Sequence, residues 1–260
     1  KTLGKLIYPN RYYRSPLWYY SSHDVRPMTD EELNQYKEKI RSQQKVKSQK
    51  RKKEKRRRQR QQEVYRLCEQ QAQVAETILK EMQTPLTREI VIDLETTGLD
   101  PFEDEILQIA VLDANSGEIL LDTLVQPYFK EDWYAARMIH GITPNQVKKA
   151  PYIFEVLPEL NRILADTKTI IGYNILQFDC VFMDIFGAVF PPDAEFEDVM
   201  PLFAKIYGEW SEKHSDYKFQ SLSTCAKYYG YNWGSDTAHN ALADCKATAF
   251  CYKKILETNF

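Results

Sequence analysis

The pattern of apolar and polar residues changes abruptly near residue 88. Residues 29–83 contain neither glycine nor proline and are dominated by glutamine, glutamate, lysine and arginine, which favour helices. Apolar positions recur there at spacings of three and four, typical of one helix face: Val64, Leu67, Gln71 (a polar member), Val74, Ile78 and Met82. The pattern predicts one long helix, or two collinear helices, ending before Pro85.

From Arg88 onward, short apolar runs rich in β-branched residues predict the strands of a globular domain. The predicted strands are 89–95, 105–114, 118–125, 169–173 and 196–199, and the predicted helices are 151–166, 176–186, 222–229 and 240–256. The strands come first as a meander and then alternate with helices. This order indicates an α/β fold in which helices cover a mixed sheet.

Composition divides the chain into three predicted parts. Residues 1–28 form an aromatic and basic N-terminal segment, residues 29–84 a long basic helical arm, and residues 88–260 the globular domain. Residues 1–87 carry a net charge of +11, whereas residues 88–260 carry −13. Such asymmetry predicts an acidic body with a basic arm that meets a polyanion.

The five cysteines are odd in number and have no paired C-x-x-C spacing, which predicts reduced thiols and argues against a disulfide framework or a zinc enzyme. The sequence has no run of eighteen apolar residues and no secretory signal pattern, so we expect no membrane span. We expect a cytoplasmic protein, or a nuclear one in an organism with a nucleus. The start at Lys1, without methionine, suits a processed or trimmed piece of a longer chain.

Two carboxylates stand at the end of the first predicted strand. Asp93 and Glu95 are two residues apart, so their side chains share one strand face and lie about 7 Å apart along the chain. Gly98 lets the backbone turn sharply after them. Two acids at a strand end are costly to desolvate unless a cation neutralises them, which predicts a metal site. A solvated strand end is the alternative.

Two further motifs carry candidate chemistry. Asp179 follows an apolar strand and begins a predicted helix, where an acid is also common for helix stability alone. His239 and Asp244 are five residues apart and would not share a face of a continuous helix. If the helix begins at Asn240, His239 lies in the preceding loop and can face the same site as Asp244. A structural role is the alternative for a lone histidine.

In order, D-x-E-T-T-G-L (93–99), N-x-x-x-F-D (174–179) and H-N-A-L-x-D (239–244) resemble the three motifs of the DnaQ-like DEDDh exonuclease family. The segment M-I-H-G-I-T (138–143) also resembles a stretch between the first and second of those motifs. The resemblance covers residues 88–256. The tyrosine type of the family would need tyrosine at Asn240, so the histidine type is indicated.

The resemblance implies an RNase H-like fold, a mixed five-stranded sheet flanked by helices and preceded here by the basic helix. It implies hydrolysis of phosphodiester bonds from the 3′ ends of nucleic acid, with release of 5′-mononucleotides. Asp93, Glu95, Asp179 and Asp244 would hold two Mg²⁺ or Mn²⁺ ions, which prefer carboxylate oxygens. Neutral His239 would act as general base. Single-stranded DNA is the favoured substrate, and RNA is the alternative.

The resemblance also implies contacts with the last nucleotide. The residues expected there are Thr96, Thr97, Leu99, His140, Asn174 and Phe178. Thr96 and Thr97 would offer backbone donors, and Leu99 would wedge against the last base. Ordinary core packing is the alternative for Leu99 and Phe178.

The basic arm is a candidate surface for nucleic-acid phosphates. Its candidate contacts are Lys50, Arg51, Lys52, Lys53, Arg56, Arg57 and Arg58. The tyrosines and tryptophan of residues 1–28 would stack on exposed bases. A solvated helix, a localisation signal or a tail that binds a protein partner are the alternatives. The rival to an active enzyme is a nucleic-acid-binding scaffold in a larger repair, replication or defence complex, where the exonuclease fold needs a partner.

Overall fold

A computed structural model describes residues 30–82, 85–236 and 238–258. The predicted aromatic segment, residues 1–28, lies outside the described residues. Helix α1 spans Asp30–Glu81, as its glycine- and proline-free sequence predicts. The chain divides into two compact units between Lys55 and Arg56.

In the first unit, the described residues belong to the N-terminal part of α1. From residue 48 to residue 55 this helix carries only polar side chains, and Lys50, Arg51, Lys52 and Lys53 are exposed. A helix with no apolar face does not bury itself against a core of its own.

The second unit contains the predicted mixed sheet. Its strands are β1 (Arg88–Thr96), β2 (Ile106–Asp113), β3 (Ile119–Leu124), β4 (Thr167–Gly172) and β5 (Glu195–Asp198). The strand order is β3-β2-β1-β4-β5. Strand β1 is antiparallel to β2 and parallel to β4, and β4 is parallel to β5. The RNase H-like fold expected from the motifs is therefore confirmed.

Helices cover the sheet. They are α2 (Tyr134–His140), α3 (Pro144–Val147), α4 (Ile153–Leu164), α5 (Asp179–Ile185), α6 (Val199–Tyr207), α7 (Leu222–Tyr229) and α8 (Ala241–Thr258), with a small hairpin of β6 (Trp210–Ser211) and β7 (Asp216–Tyr217). Of the helices in residues 30–82, 85–236 and 238–258, none is both long and apolar enough to cross a bilayer.

Three helices and the hairpin were not predicted from the sequence. Helix α2 buries none of its residues, so it has no apolar periodicity to reveal it. Helix α6 follows β5 without a loop, because the Asp198 side chain accepts a hydrogen bond from the N–H of Met200 and caps the new helix. The predicted strand 196–199 therefore ends at Asp198.

The core lies on both faces of the sheet. One apolar cluster lies under α4 and α5 and includes Ile92 and Leu94 of β1. The other lies under α6, α7 and α8 and includes Val91. Side chains alternate along a strand, so Asp93 and Glu95 share the Val91 face, which α8 covers.

The C-terminal half of α1 packs on the first of these apolar clusters. Val64 and Cys68 are buried there. The backbone of α1 also lies close to the turn after α5, because a Cβ on Gly187 would be 2.8 Å from the carbonyl oxygen of Cys68. Val74 and Ile78, farther along the helix, are exposed. The apolar stripe of α1 therefore packs on the domain at Val64.

Candidate active site

Strand β1 places two carboxylates at the open edge of the sheet. Asp93 lies opposite Ala110 and Glu95 opposite Gln108 in the pairing with β2. Both side chains are half-buried. Their position on the face covered by α8 brings them toward the residues that begin that helix.

Asp179, the first residue of α5, reaches β1 directly. The pairing of β1 with β4 ends at Val91 and Ile171. Beyond that point the N–H of Leu94 donates a hydrogen bond to Asp179 Oδ1 at 3.0 Å. The Asp179 carboxylate is buried and is thereby fixed beside the strand that carries Asp93.

His239 and Asp244 come to the site from the start of α8. The helix begins at Ala241, so His239 lies in the preceding loop, with a backbone φ of +67°. The N–H of His239 donates a hydrogen bond to Asp244 Oδ2 at 3.1 Å. Side-chain atoms of Glu95, His239 and Asp244 lie within 4.8 Å of one another. The loop position predicted for His239 is what brings it to the acids.

The electrostatics of this cluster favour a cation. Burial raises the pKa of Asp93 well above its usual range, and Asp179, Asp244 and Glu95 raise it further. Burial, followed by the Asp244 carboxylate, raises the pKa of Glu95 to about 8. Burial raises the pKa of Asp244 to about 6, although the N–H of His239 and its side chain lower it. Burial also raises the pKa of Asp179.

The Asp244 carboxylate is only partly satisfied by hydrogen bonds from the described residues. Asp244 Oδ1 is buried and unpaired among the residues that the structure describes. A buried carboxylate oxygen without a donor is costly, and a hard divalent cation would satisfy it. The donor set of Asp93, Glu95, Asp179 and Asp244 therefore fits Mg²⁺ or Mn²⁺.

The segment after β1 brings together some of the predicted substrate contacts. His140 Nδ1 accepts a hydrogen bond from the N–H of Ile142 at 3.0 Å, so Nε2 carries the proton that faces Thr96 O at 3.2 Å. Burial lowers the pKa of His140, which favours this neutral form. Leu99 projects into solvent with 83% of its surface exposed.

The other predicted contacts have internal partners. The Thr97 hydroxyl donates a hydrogen bond to Asp104 Oδ1 at 2.9 Å, and the backbone N–H of Thr97 donates to Glu105 O at 2.8 Å. Thr97 therefore joins the two ends of the loop between β1 and β2. Asn174 adopts a φ of +65° after β4. The Phe178 ring packs 5.0 Å from the ring of Phe182, which joins it to the core.

Two buried acids that the sequence analysis missed organise the loop. Asp104 Oδ2 accepts the N–H of Asp100 at 3.1 Å, and its carboxylate lies where a Cβ on Gly98 would be. The carboxylate of Glu105 accepts the N–H groups of residues 128, 129 and 130 at 2.6, 2.8 and 2.7 Å. In the sequence Asp104 lies between two predicted strands and Glu105 begins the predicted strand 105–114. Acids are commonly solvated at such positions, and no periodic signal marks these two as buried.

Asp198, at the end of β5, was also missed. Its Oδ1 accepts the N–H of Asn174 at 2.9 Å, and its Oδ2 accepts the N–H of Leu176 at 3.4 Å. This carboxylate therefore holds the loop that precedes Asp179. Its position at the carboxyl end of a predicted strand is the signal that could have revealed it.

Within the second unit, α1 contacts the loop that carries Leu99. Arg57 forms an ion pair with Glu103 at 2.7 Å, and the Gln61 side chain donates a hydrogen bond to the carbonyl of Phe102. The Arg60 guanidinium lies 4.9 Å from the centre of the Tyr128 ring. Arg56 and Arg58 are exposed side chains of the same turns of α1.

The sheet order and the acid cluster define a nuclease-type site of the RNase H-like superfamily. The RNase T family model, described as Exonuclease, matches residues 90–252. The chain therefore belongs to this exonuclease family, of the DnaQ-like type that its motifs resemble.

Similar proteins of known sequence are DNA polymerases. The PolC-type DNA polymerase III of Clostridium perfringens is 30% identical over 179 residues, covering 65% of this chain and 11% of the polymerase. The PolC-type DNA polymerase III of Thermotoga maritima is 29% identical over 178 residues, which cover 65% of this chain and 12% of the polymerase. The chain thus spans about a tenth of their length.

Solved structures of Exonuclease I share the fold. E. coli Exonuclease I in complex with a dA16 oligonucleotide aligns with a TM-score of 0.54 and 24% identity, over 66% of this chain and 41% of that chain. The moderately thermophilic Exonuclease I from Methylocaldum szegediense aligns with a TM-score of 0.51 and 22% identity, over 65% of this chain and 40% of the Methylocaldum chain.

Proposed function

We propose that this protein is a metal-dependent 3′→5′ exonuclease that removes 5′-mononucleotides from the 3′ ends of single-stranded nucleic acid. The observation that carries the proposal is the meeting of Glu95, His239 and Asp244 within 4.8 Å. Asp93 and Asp179 belong to the same cluster. The charges of Asp179, Asp244 and Glu95 raise the pKa of Asp93, and the charge of Glu95 raises the pKa of Asp179.

Asp93, Glu95, Asp179 and Asp244 are the residues that we propose to hold two divalent cations, Mg²⁺ or Mn²⁺. Such cations, when bound, neutralise charge at the scissile phosphate and lower the pKa of water. The unpaired Asp244 Oδ1 and the mutual repulsion of the acids support this role. With cations present, these carboxylates remain ionised at neutral pH.

His239 is the residue that we propose as general base. It is exposed at the mouth of the cluster, and its backbone N–H is tied to Asp244. The imidazole would take the proton of the attacking water and release it to solvent. A histidine suits this task because its neutral form is populated near pH 7.

The surroundings of the cluster suit the end of a single strand. Leu99, Met138, Ile139 and Leu176 are exposed apolar side chains next to residues of the site motifs. Exposed apolar groups there would gain contact with the unstacked bases of a strand end. We propose Leu99, His140, Thr96 and Asn174 as contacts of the terminal nucleotide.

DNA is the substrate that we favour over RNA. The relatives named above are DNA polymerases, and the E. coli Exonuclease I of the same fold was solved with a dA16 oligonucleotide. Because all five cysteines are free thiols, four of them buried, we also propose a reducing compartment such as the cytoplasm.

The test is a degradation assay with matched acid variants. Wild type, Asp93→Asn and the exposed turn variant Glu118→Gln would be incubated with 5′-labelled single-stranded DNA or RNA in Mg²⁺, Mn²⁺ or EDTA. We expect a ladder that shortens from the 3′ end only with metal, unchanged in Glu118→Gln and absent in Asp93→Asn. An inactive wild type on both substrates and with both metals would contradict the proposal.

A second function, holding nucleic acid for a larger assembly, is favoured by the exposed lysines and arginine of α1. Replacing Lys50, Arg51, Lys52 and Lys53 with glutamine should weaken binding of single-stranded DNA and flatten its dependence on salt. Replacing the exposed pair Lys148 and Lys149 with glutamine is the control for loss of positive charge elsewhere, and it is compared with the paired replacement of Lys50 and Arg51. An unchanged salt dependence would remove the arm as a nucleic-acid contact.

A further inference from the structure

Gln108 is a buried polar side chain on β2, beside the acid cluster. Only 5% of its surface is exposed. It lies opposite Glu95 in the antiparallel pairing of β1 and β2, so both side chains lie on the face that α8 covers. A buried amide must satisfy its donors and its acceptor, and its partners reveal what it does.

The amide of Gln108 is held in one orientation by β3. Its Nε2 donates a hydrogen bond to Asp122 Oδ1 at 2.9 Å. A carboxylate only accepts hydrogen bonds, so the NH₂ group faces Asp122 and Oε1 faces away from it. The orientation of Oε1 is therefore set by a residue outside the acid cluster.

That oxygen meets the start of α8. It accepts the N–H of Ala241 at 3.3 Å and the side-chain Nδ2 of Asn240 at 3.4 Å. The first N–H groups of a helix have no partner within the helix, so Gln108 satisfies one of them. The other end of the Asn240 amide, Oδ1, accepts the N–H of Ala243 at 3.2 Å. Asn240 is thus anchored at both ends.

The anchored residues directly follow His239. A φ of +67° is uncommon for a residue other than glycine, so the surroundings must hold His239 in that conformation. The contacts that fix the chain next to it are the Gln108 oxygen, which binds Asn240 and Ala241, and the bond from the His239 N–H to Asp244.

We propose that Gln108 is a positioning residue that holds His239 at the acid cluster through Asn240 and Ala241, with Asp122 fixing its orientation. The proposal rests on the exonuclease function proposed above. Gln108 does not touch the reacting atoms; it sets the place of the residue that does.

The first test is a double-mutant cycle between Gln108→Ala and His239→Ala, measured as kcat and KM on single-stranded DNA. In the wild-type background we expect Gln108→Ala to lower kcat about 10- to 100-fold with little change in KM, since small misplacements of a catalytic group have effects of this size. In the His239→Ala background it should lower kcat no further. An equal loss in both backgrounds would overturn the proposal.

The second test reverses the hydrogen bond between β2 and β3. Gln108→Glu alone sets two carboxylates against each other and should lower kcat. Adding Asp122→Asn supplies a donor to the new carboxylate, leaves its second oxygen for Asn240 and Ala241, and should restore most of kcat. Thr123→Ala, the next residue on β3, is the control. If the double variant does not recover kcat, the proposal that Asp122 orients Gln108 to position His239 is overturned.

Amide hydrogen exchange separates this proposal from the proposed activity. Gln108→Ala should increase exchange at Ala241 and in the neighbouring loop of the metal-free protein, whereas Thr123→Ala should not. Unchanged exchange at Ala241 would overturn the positioning contact even if the wild type degrades DNA. Faster exchange together with an inactive wild type would contradict the proposed function but leave the contact established.

Discussion

Replacing Gly187 with alanine measures how closely α1 packs against the turn that follows α5. Gly187 has a φ of +85°, and a Cβ there would lie 2.8 Å from the carbonyl oxygen of Cys68. Gly117 has a similar φ of +78°, yet a Cβ there would meet nothing within 4 Å. The two glycines therefore share the backbone cost of substitution and differ in the contact with the helix.

The magnitude follows from these two contributions. A left-handed backbone costs an L-residue about 1–2 kcal/mol, and the stiffer unfolded chain returns about 0.4–1 kcal/mol. Gly117→Ala should therefore lower the free energy of unfolding by about 1 kcal/mol. Gly187→Ala must also displace the backbone of α1, which adds about 1–3 kcal/mol, the usual range for overpacking.

Urea titration of both variants, followed by circular dichroism, provides the assay. The midpoint and slope of each titration give the free energy of unfolding. We expect Gly187→Ala to be the less stable by the overpacking contribution alone. Equal losses in the two variants would refute the close approach of α1 and, with it, the docking of Val64 and Cys68.

Three further predictions concern the acid cluster and its surroundings. Without metal, the pKa of Asp244 is about 6 and that of Glu95 about 8 in the folded protein, whereas carboxyls of the unfolded chain have pKa values of about 4. Because the folded protein holds these protons more tightly, its stability falls as pH rises from about 4 to the folded pKa of each group. Mg²⁺ or Mn²⁺ should accordingly raise Tm more at pH 8.5 than at pH 5.5, and an equal rise at both would contradict metal binding by these acids. Asp93→Asn removes a carboxyl whose ionisation is disfavoured by burial and by the neighbouring acids. It should raise Tm in EDTA at pH 8.5 and reduce the gain from metal, and a lower Tm in EDTA would show that ionisation of this carboxyl does not limit stability. Leu99→Ala should leave Tm unchanged because the side chain is 83% exposed, yet lower kcat/KM on single-stranded DNA about 10-fold, and unchanged kinetics would exclude Leu99 from the substrate contact.

Much of the fold could be predicted because its main elements carry local signals. The run 89–95 is short, apolar and β-branched, and it became β1 within one residue at each end. The predicted helix 222–229 matches α7 because serine precedes it and glycine follows it. Helix α2 gave no such signal, since it buries none of its residues.

The residues of the site that could be predicted are those whose spacing within a short motif determines which way their side chains face. Acids two apart on a strand share a face, and the geometry of β1 places Asp93 and Glu95 accordingly. The supporting residues were not predictable, because their partners are distant in sequence. Glu105 binds the backbone of residues 128–130, and Gln108 binds Ala241. Hydrophobic periodicity reports which face of an element is buried, not which buried polar groups will meet.

The docking of α1 also has a consequence for the order in which the chain is made. Ribosomal synthesis releases α1 first, while the surface that receives Val64 and Cys68 includes residues as far downstream as Phe186 and Gly187. Until those residues emerge, the apolar turn of the helix has no place to pack. A truncation that begins at residue 88 would leave that surface uncovered permanently, whereas one that begins at residue 56 would keep it closed. Versions of the protein made without Lys50, Arg51, Lys52 and Lys53 should therefore start at Arg56, not at the first strand.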